Sequence, residues 1–200
     1  SCNAVDAHTE IGKKSTPIKV TLPNALSLEF KVRDFGRGLT EKEIGEIYAM
    51  YGESTKRGTN EQIGQLGLGC KSAFAYGDNF VINSYTQGTK TSYNAFIDPS
   101  EVGRISKLSQ EPTEESNGIE IVIAVKRDDC DEFYRKAVDL FAYFEVKPEV
   151  EGIDSDKFKE DSDKGGILVQ GDNWKCFRKG EAVALMGNIA YPLDNYALDV

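Results

Sequence analysis

Apolar and polar residues alternate with a period of two in "IKVTL" (18–22) and "LSLEFKVRD" (26–34), the pattern of strands with one face on a core. "PNA" lies between them and predicts a hairpin. In "TEKEIGEIYAMYG" (40–52) the spacing becomes helical: Thr40 is placed to cap, Ile44, Ile47 and Tyr48 share a face, and Gly52 stops the helix. "SCNAVDAHTEIGKK" (1–14) reads as the latter half of a helix ending near Gly12, and its missing cap predicts residues before it. "GCKSAFAYG" (69–77) predicts a short helix. "NFVINSYT" (79–86) and "TSYNAFID" (91–98) predict strands around a Gln87–Gly88 turn, and "GIEIVIAVK" (118–126) predicts another. "CDEFYRKAVDLFAYF" (130–144) predicts an amphipathic helix with Phe133, Ala137, Leu140 and Phe144 as its core stripe.

Two stretches break the pattern. Residues 52–69 are rich in glycine and polar residues and predict a mobile loop. Residues 151–166 hold six acids and three lysines with two large apolar residues, and predict an acidic linker or surface loop. The organisation expected is therefore one domain over 1–150, this linker, and short strands over 167–200 that start a second small domain.

Composition narrows the function classes. With 200 residues and 40% hydrophobic content, the chain can bury a core of ordinary size. A net charge of −9 gives no strong nucleic-acid signal, because such binding needs a basic surface to release counterions. No apolar run approaches the ~20 residues of a transmembrane helix, and no signal peptide is visible. Four cysteines without a CxxC pair suggest neither a zinc site nor a disulfide framework, so a cytoplasmic location is expected. A place at the membrane periphery stays open.

The candidate chemistry lies in three clusters. Asn3 and Asp6 stand three residues apart on one helical face, and an asparagine amide oxygen can ligate magnesium without adding charge beside a triphosphate. "RDFGRG" (33–38) puts Asp34 at a strand end before Gly36 and Gly38. A buried carboxylate there can accept from the exocyclic amine of an adenine, and the glycines permit close backbone approach. "GQLGLGCKSAF" (64–74) runs a glycine-rich loop into a helix whose free N–H groups can hold phosphate. It is not a Walker loop: Cys70 stands between Gly69 and Lys71, so the lysine comes one residue late, about 100° around a helix.

On these residues the chain resembles the Bergerat-fold GHKL superfamily of topoisomerase II-type ATPase subunits, large heat-shock chaperones, histidine kinases and MutL. "SCNAVDA" looks like its N-box, "RDFGRG" its adenine box, "GESTKRGTNEQ" (52–62) its ATP lid, and "IGQLGLGCKSAF" (63–74) the glycine-rich box closing that lid. The resemblance implies an α/β fold, an α+β two-layer sandwich whose mixed sheet is covered on one face by helices. It also implies ATP and Mg2+ as cofactors. ATP would be held by Asn3, Asp6, Asp34, Gly36, Gly38, Ser54, Thr55, Lys56, Gly64, Gln65, Leu66, Gly67, Leu68, Gly69 and Lys71, with Asn3 on the metal. The wording of "VRDFGRGL", "YGESTK", "GQLGLGCKSAFAY" and "MGNIAYPLD" is similar to the rIIA-like proteins of tailed phages, which are described as protecting infected cells against early lysis induced by a resident prophage. That resemblance implies a phage or host protein partner inside an infected bacterium, with a homodimer as an option.

Two departures follow from the resemblance. The family's general-base glutamate stands four residues before the N-box asparagine, which falls upstream of Ser1, so no catalytic residue is assigned within this sequence. The family often has a Gly-Thr pair whose hydroxyl supports the adenine-binding aspartate; here "NGIEI" (117–121) offers Ile119 in the threonine's place. His8, the sole histidine, is read as exposed or structural rather than as a phosphoacceptor. The two functions left standing are an ATPase module whose lid switches partner contacts, and a non-catalytic phage–host interaction protein with nucleotide as structural ligand.

Overall fold

The computed structural model describes residues 2–49, 72–99, 103–172, 174–180, 182–186 and 188–193. Seven strands form one mixed sheet: β1 (Lys19–Thr21), β2 (Glu29–Arg33), β3 (Asn79–Thr86), β4 (Thr89–Ile97), β5 (Gly103–Pro112), β6 (Gly118–Ala124) and β7 (Glu149–Glu151). Their spatial order is β5-β4-β3-β6-β2-β1-β7, antiparallel throughout except that β7 runs parallel to β1. The helices are α1 (Cys2–Glu10), α2 (Glu41–Ala49), α3 (Cys130–Phe141) and α4 (Ser155–Ser162).

Alternation along the strands sorts the two faces. Val20, Phe30, Val32, Ile82, Tyr93, Ile121 and Ile123 point to the helices, where they make two adjoining cores. One holds Ala4 of α1, Ala137 and Phe141 of α3, and Phe158 of α4; the other holds Ile44 of α2 and Ala73. Phe30 packs against both. The opposite face is polar, crossed by the pairs Lys19–Glu151, Lys31–Glu29 and Lys90–Glu111. The result is a two-layer α/β sandwich with helices on one side.

Local chemistry sets the boundaries. Thr40 and Glu43 form a reciprocal capping box, with the Thr40 N–H and hydroxyl both donating to Glu43 Oε2 and the Glu43 N–H donating to Thr40 Oγ1. Arg37 adds a salt bridge at 2.7 Å, and with these bonds it holds the Glu43 carboxyl down to about 2. At the hairpin between β3 and β4, Gln87 and Gly88 both take positive φ, 53° and 70°, as a two-residue turn of the primed type requires. Lys147 donates to the carbonyls of Phe141 and Ala142 and so closes the end of α3.

Several features differ from the sequence reading: β7 was not expected, and of the short helix expected over 69–77 the described residues form only a 3-10 turn, Ser72–Ala75. Within 151–166, read as a linker or surface loop, residues 155–162 form α4. Asp154 caps it by accepting from the N–H groups of Asp156 and Lys157, and Phe158 is buried in the core. One aromatic at the right position outweighs the acidic composition around it. The helix predicted over 130–144 ends at Phe141, and Phe141 lies deeper than Leu140, which is only half-buried. Strand β5 was not predicted, because exposure along nearly its whole length leaves no alternation to read. The strands expected over 167–200 are present as two ribbons, β8 (Ile167–Gln170) with β9 (Lys175–Phe177), and β10 (Val183–Met186) with β11 (Ile189–Pro192).

Candidate functional site

The site is built where β2 ends against α1. Asp34, the first residue past β2, is 7% exposed. Its N–H donates to the Ile119 carbonyl, so the residue is fixed between β2 and the start of β6. Oδ1 accepts from the Gly36 N–H at 2.9 Å and from the Ile119 N–H at 3.1 Å. Oδ2 accepts no hydrogen bond from any described residue. Burial raises the Asp34 carboxyl above its ordinary value, against the two N–H bonds and the Arg33 charge, which lower it. A buried carboxylate with one oxygen pinned and the other without a donor is fitted to take a hydrogen bond from a ligand.

Glycine is required around it. A Cβ on Gly36 would come within 3.0 Å of Ala7 Cβ and of Asp34 Oδ1, so α1 and the loop touch through that gap. Gly38 takes φ +74°, and a Cβ there would lie 2.2 Å from the Tyr85 carbonyl oxygen. The Ser84 hydroxyl accepts from the Leu39 N–H and donates to the Leu39 carbonyl, tying the far end of the loop to β3.

His8 ties α1 to the same loop. The Phe35 N–H donates to Nε2 at 2.7 Å, so the proton sits on Nδ1, which donates to the Thr16 carbonyl at 2.9 Å. The ring is buried and structural, which decides between the exposed and structural alternatives left by the sequence. On α1, Asn3 and Ala7 are one turn apart on one face, so the face that meets Gly36 through Ala7 also carries Asn3, with Asp6 beside it. Asn3 is exposed; Asp6 is half-buried, and burial with Glu10 nearby raises its carboxyl.

The structure therefore brings Asp34 and Gly36 to a seam with Ala7 of α1, on the helix that also carries Asn3 and Asp6, while Gly38 lies against Tyr85 of β3. Ser54, Thr55, Lys56, Gly64, Gln65, Leu66, Gly67, Leu68, Gly69 and Lys71 lie outside the described residues. Ile119 does stand beside Asp34, and its backbone N–H supplies a bond to that carboxylate. Two contributors carried no sequence signal of their own: Arg33, which reads as a routine polar-face residue of β2, and Gly118, whose φ is +144°.

A family model described as "Histidine kinase-, DNA gyrase B-, and HSP90-like ATPase" matches residues 2–129. The chain belongs to this ATPase family. The fold of this GHKL member agrees with the crystal structure of the ATPase and transducer domains of DNA topoisomerase II from Balamuthia mandrillaris, at TM-score 0.59 and 16% identity. That match covers 94% of this chain and 57% of the other, so the chain spans little more than half of that neighbour. No curated protein matches it in sequence. No helix among the described residues is long and apolar enough to cross a membrane.

Proposed function

We propose that the chain is an ATP-binding, ATP-hydrolysing module in which Asp34 reads adenine and α1 serves the phosphate end. The observation that carries this reading is the Asp34 carboxylate, buried, with Oδ1 saturated by backbone N–H groups and Oδ2 left to accept. An adenine amine is the donor such an oxygen takes.

Magnesium enters through phosphate. Among the described residues no group of three or more His, Cys, Asp or Glu gathers to hold a metal. Magnesium in nucleotide sites keeps one or two protein ligands beside phosphate oxygens and water, and the exposed Asn3 amide suits that share. The segment 52–69 is the lid of this reading, closing over Mg-ATP and switching contacts with a phage or host protein, as in an rIIA-like protein. The exposed Leu168, Val169, Trp174, Leu185 and Tyr191 of the ribbons favour a partner surface in either version, including the one where nucleotide is only a structural ligand.

The deciding measurement is calorimetric titration with ATP and with ITP, each with and without magnesium. ITP replaces the adenine amine by a carbonyl, so Asp34 would face an acceptor. Tight ATP binding with much weaker ITP binding is expected; equal affinities, or none, refute the adenine assignment. Turnover of bound ATP then separates the enzyme from the structural-ligand version. Protection of 52–69 from protease by a non-hydrolysable ATP analogue with magnesium tests the lid.

A further inference from the structure

Arg33 is 5% exposed, yet it makes no ion pair with any described residue. It is the last residue of β2 and lies on the polar face, away from the helices, one position before Asp34. Its guanidinium stacks on Tyr85, 3.9 Å from the ring centroid, with Phe35 at 5.2 Å. Nη1 donates to the Asp34 carbonyl and Nη2 to the Ser116 carbonyl, on a segment 83 residues away. Gly118 makes the room: a Cβ there would lie 2.4 Å from Nη1 and 2.1 Å from the Asp34 carbonyl oxygen.

Asp34, Glu115 and Glu120, the last directly across the strands from Arg33, act on its charge only from beyond ion-pair distance, and an apolar side chain would fill the same space without desolvation cost. What the guanidinium supplies is a rigid fork of donors that can span two carbonyls. Those carbonyls belong to the two segments that orient the Asp34 carboxylate. One is Asp34 itself, whose N–H is already held by Ile119; the other is Ser116, three residues before the Ile119 N–H that pins Oδ1. The grip thus acts from behind the sheet on the frame that aims the carboxylate.

We propose that Arg33 is a positioning residue for base selection: by clamping the Asp34 and Ser116 carbonyls with a guanidinium stacked on the Tyr85 ring, it fixes the direction in which Asp34 presents its free oxygen. This rests on the ATP-binding reading. Lysine cannot substitute, because a single ammonium can neither stack as a plane nor hold both carbonyls with a fixed fork.

The test compares Arg33→Lys and Arg33→Met with the unaltered chain, in ATP and ITP affinity and in amide hydrogen exchange without nucleotide. Both variants are expected to lower the ATP-over-ITP affinity ratio about tenfold, almost wholly through ATP, with ITP affinity changed less than about twofold. Exchange at the Gly36 and Ile119 amides, the two donors to Oδ1, should quicken in both variants while the β3 and β4 amides stay protected. In an Asp34→Asn background, Arg33→Lys should change the ratio no further. Equal loss for both nucleotides, or an unchanged ratio in folded Arg33→Lys, overturns the proposal. If Arg33→Met does not fold, the Arg33→Lys ratio and amide pattern decide alone. An unaltered chain that binds ATP no better than ITP refutes the adenine reading itself and takes this inference with it, a result distinct from a variant that keeps its ratio.

Discussion

The two ends of the candidate site are made differently. At the proposed adenine end the backbone groups that frame the Asp34 carboxylate are bonded: Gly36, Ile119 and Phe35 through their N–H groups, Asp34 and Ser116 through their carbonyls. At the proposed phosphate end, Asn3 is an exposed side chain on the first turn of α1. One end is organised by the fold before any ligand arrives, and at the other the Asn3 side chain has no hydrogen-bond partner among the described residues. Pre-organisation of the proposed base end lowers the ordering cost of recognition. Changes that break the bonded frame of the first end should therefore lower stability and binding together, and changes at the second should move binding alone.

The hardest blow to the built end is Gly38→Val. Its φ of +74° disfavours any β-branched side chain, and the Cβ would lie 2.2 Å from the Tyr85 carbonyl oxygen, which is backbone and cannot swing away. About 3 kcal/mol or more of stability should be lost, with nucleotide binding lost in proportion to unfolding. Thermal and denaturant melts check it; a near-native melting point would mean that the loop is looser than its bonds imply.

Asp34→Asn should separate the two readouts in opposite directions. The amide oxygen can still accept from Gly36 and Ile119, which leaves the NH2 where Oδ2 stood, a donor facing a donor. A mismatch of about 1–3 kcal/mol weakens ATP binding about five- to 150-fold. The fold should gain stability, because a buried charge is removed while its bonds stay. The pH dependence has the same root. Burial raises the Asp34 carboxyl above 3.8, so between that value and the raised one the native state binds more protons than the unfolded chain. The Asp34 contribution to stability thus rises as pH falls through the raised value and levels off below 3.8, while ATP affinity falls over the same window. Asp34→Asn should flatten both curves; unchanged curves would place the titration elsewhere.

How much of this was legible before the structure depends on where the information resides. Strands β1 to β4 and β6, and helices α1 to α3, follow from alternation, caps and turn residues, which are local. Asp34, Gly36 and Gly38 were legible because a carboxylate and two glycines at fixed spacing leave a pattern. Arg33 and His8 were not legible in their roles, since each acts on carbonyl or N–H groups of segments far along the chain and no residue type marks such a partner. Helix α4 was hidden by its charges, because the choice between loop and helix there turned on the burial of Phe158.

His8→Leu tests the tie between the two ends. Leucine keeps much of the volume but leaves the Phe35 N–H and the Thr16 carbonyl without their partner. A stability loss of about 1–2 kcal/mol is expected, with a smaller loss of ATP affinity as the loop and α1 drift apart. His8→Gln, which can still accept from Phe35, should recover part of both in the same melts and titrations.

The smallest effect on the fold, and the sharpest test of the comparison, is Asn3→Ala. The Asn3 side chain is exposed and makes no hydrogen bond among the described residues, and alanine is the better helix former, so stability should change by no more than about 0.5 kcal/mol. Binding should still suffer, but only its magnesium-dependent part, because the amide oxygen is a ligand for the ion and not for the base. ATP titrated with magnesium should bind several-fold more weakly than to the unaltered chain, and ATP titrated without magnesium should bind equally. The ATP-over-ITP ratio should stay as it was, since Asp34 is untouched. A change in that ratio, or a melting point lowered as far as in His8→Leu, would show that the phosphate end is wired into the fold after all and that the two ends are not built differently. An unchanged magnesium dependence would return Asn3 to an ordinary solvent-facing residue and leave the metal to other ligands.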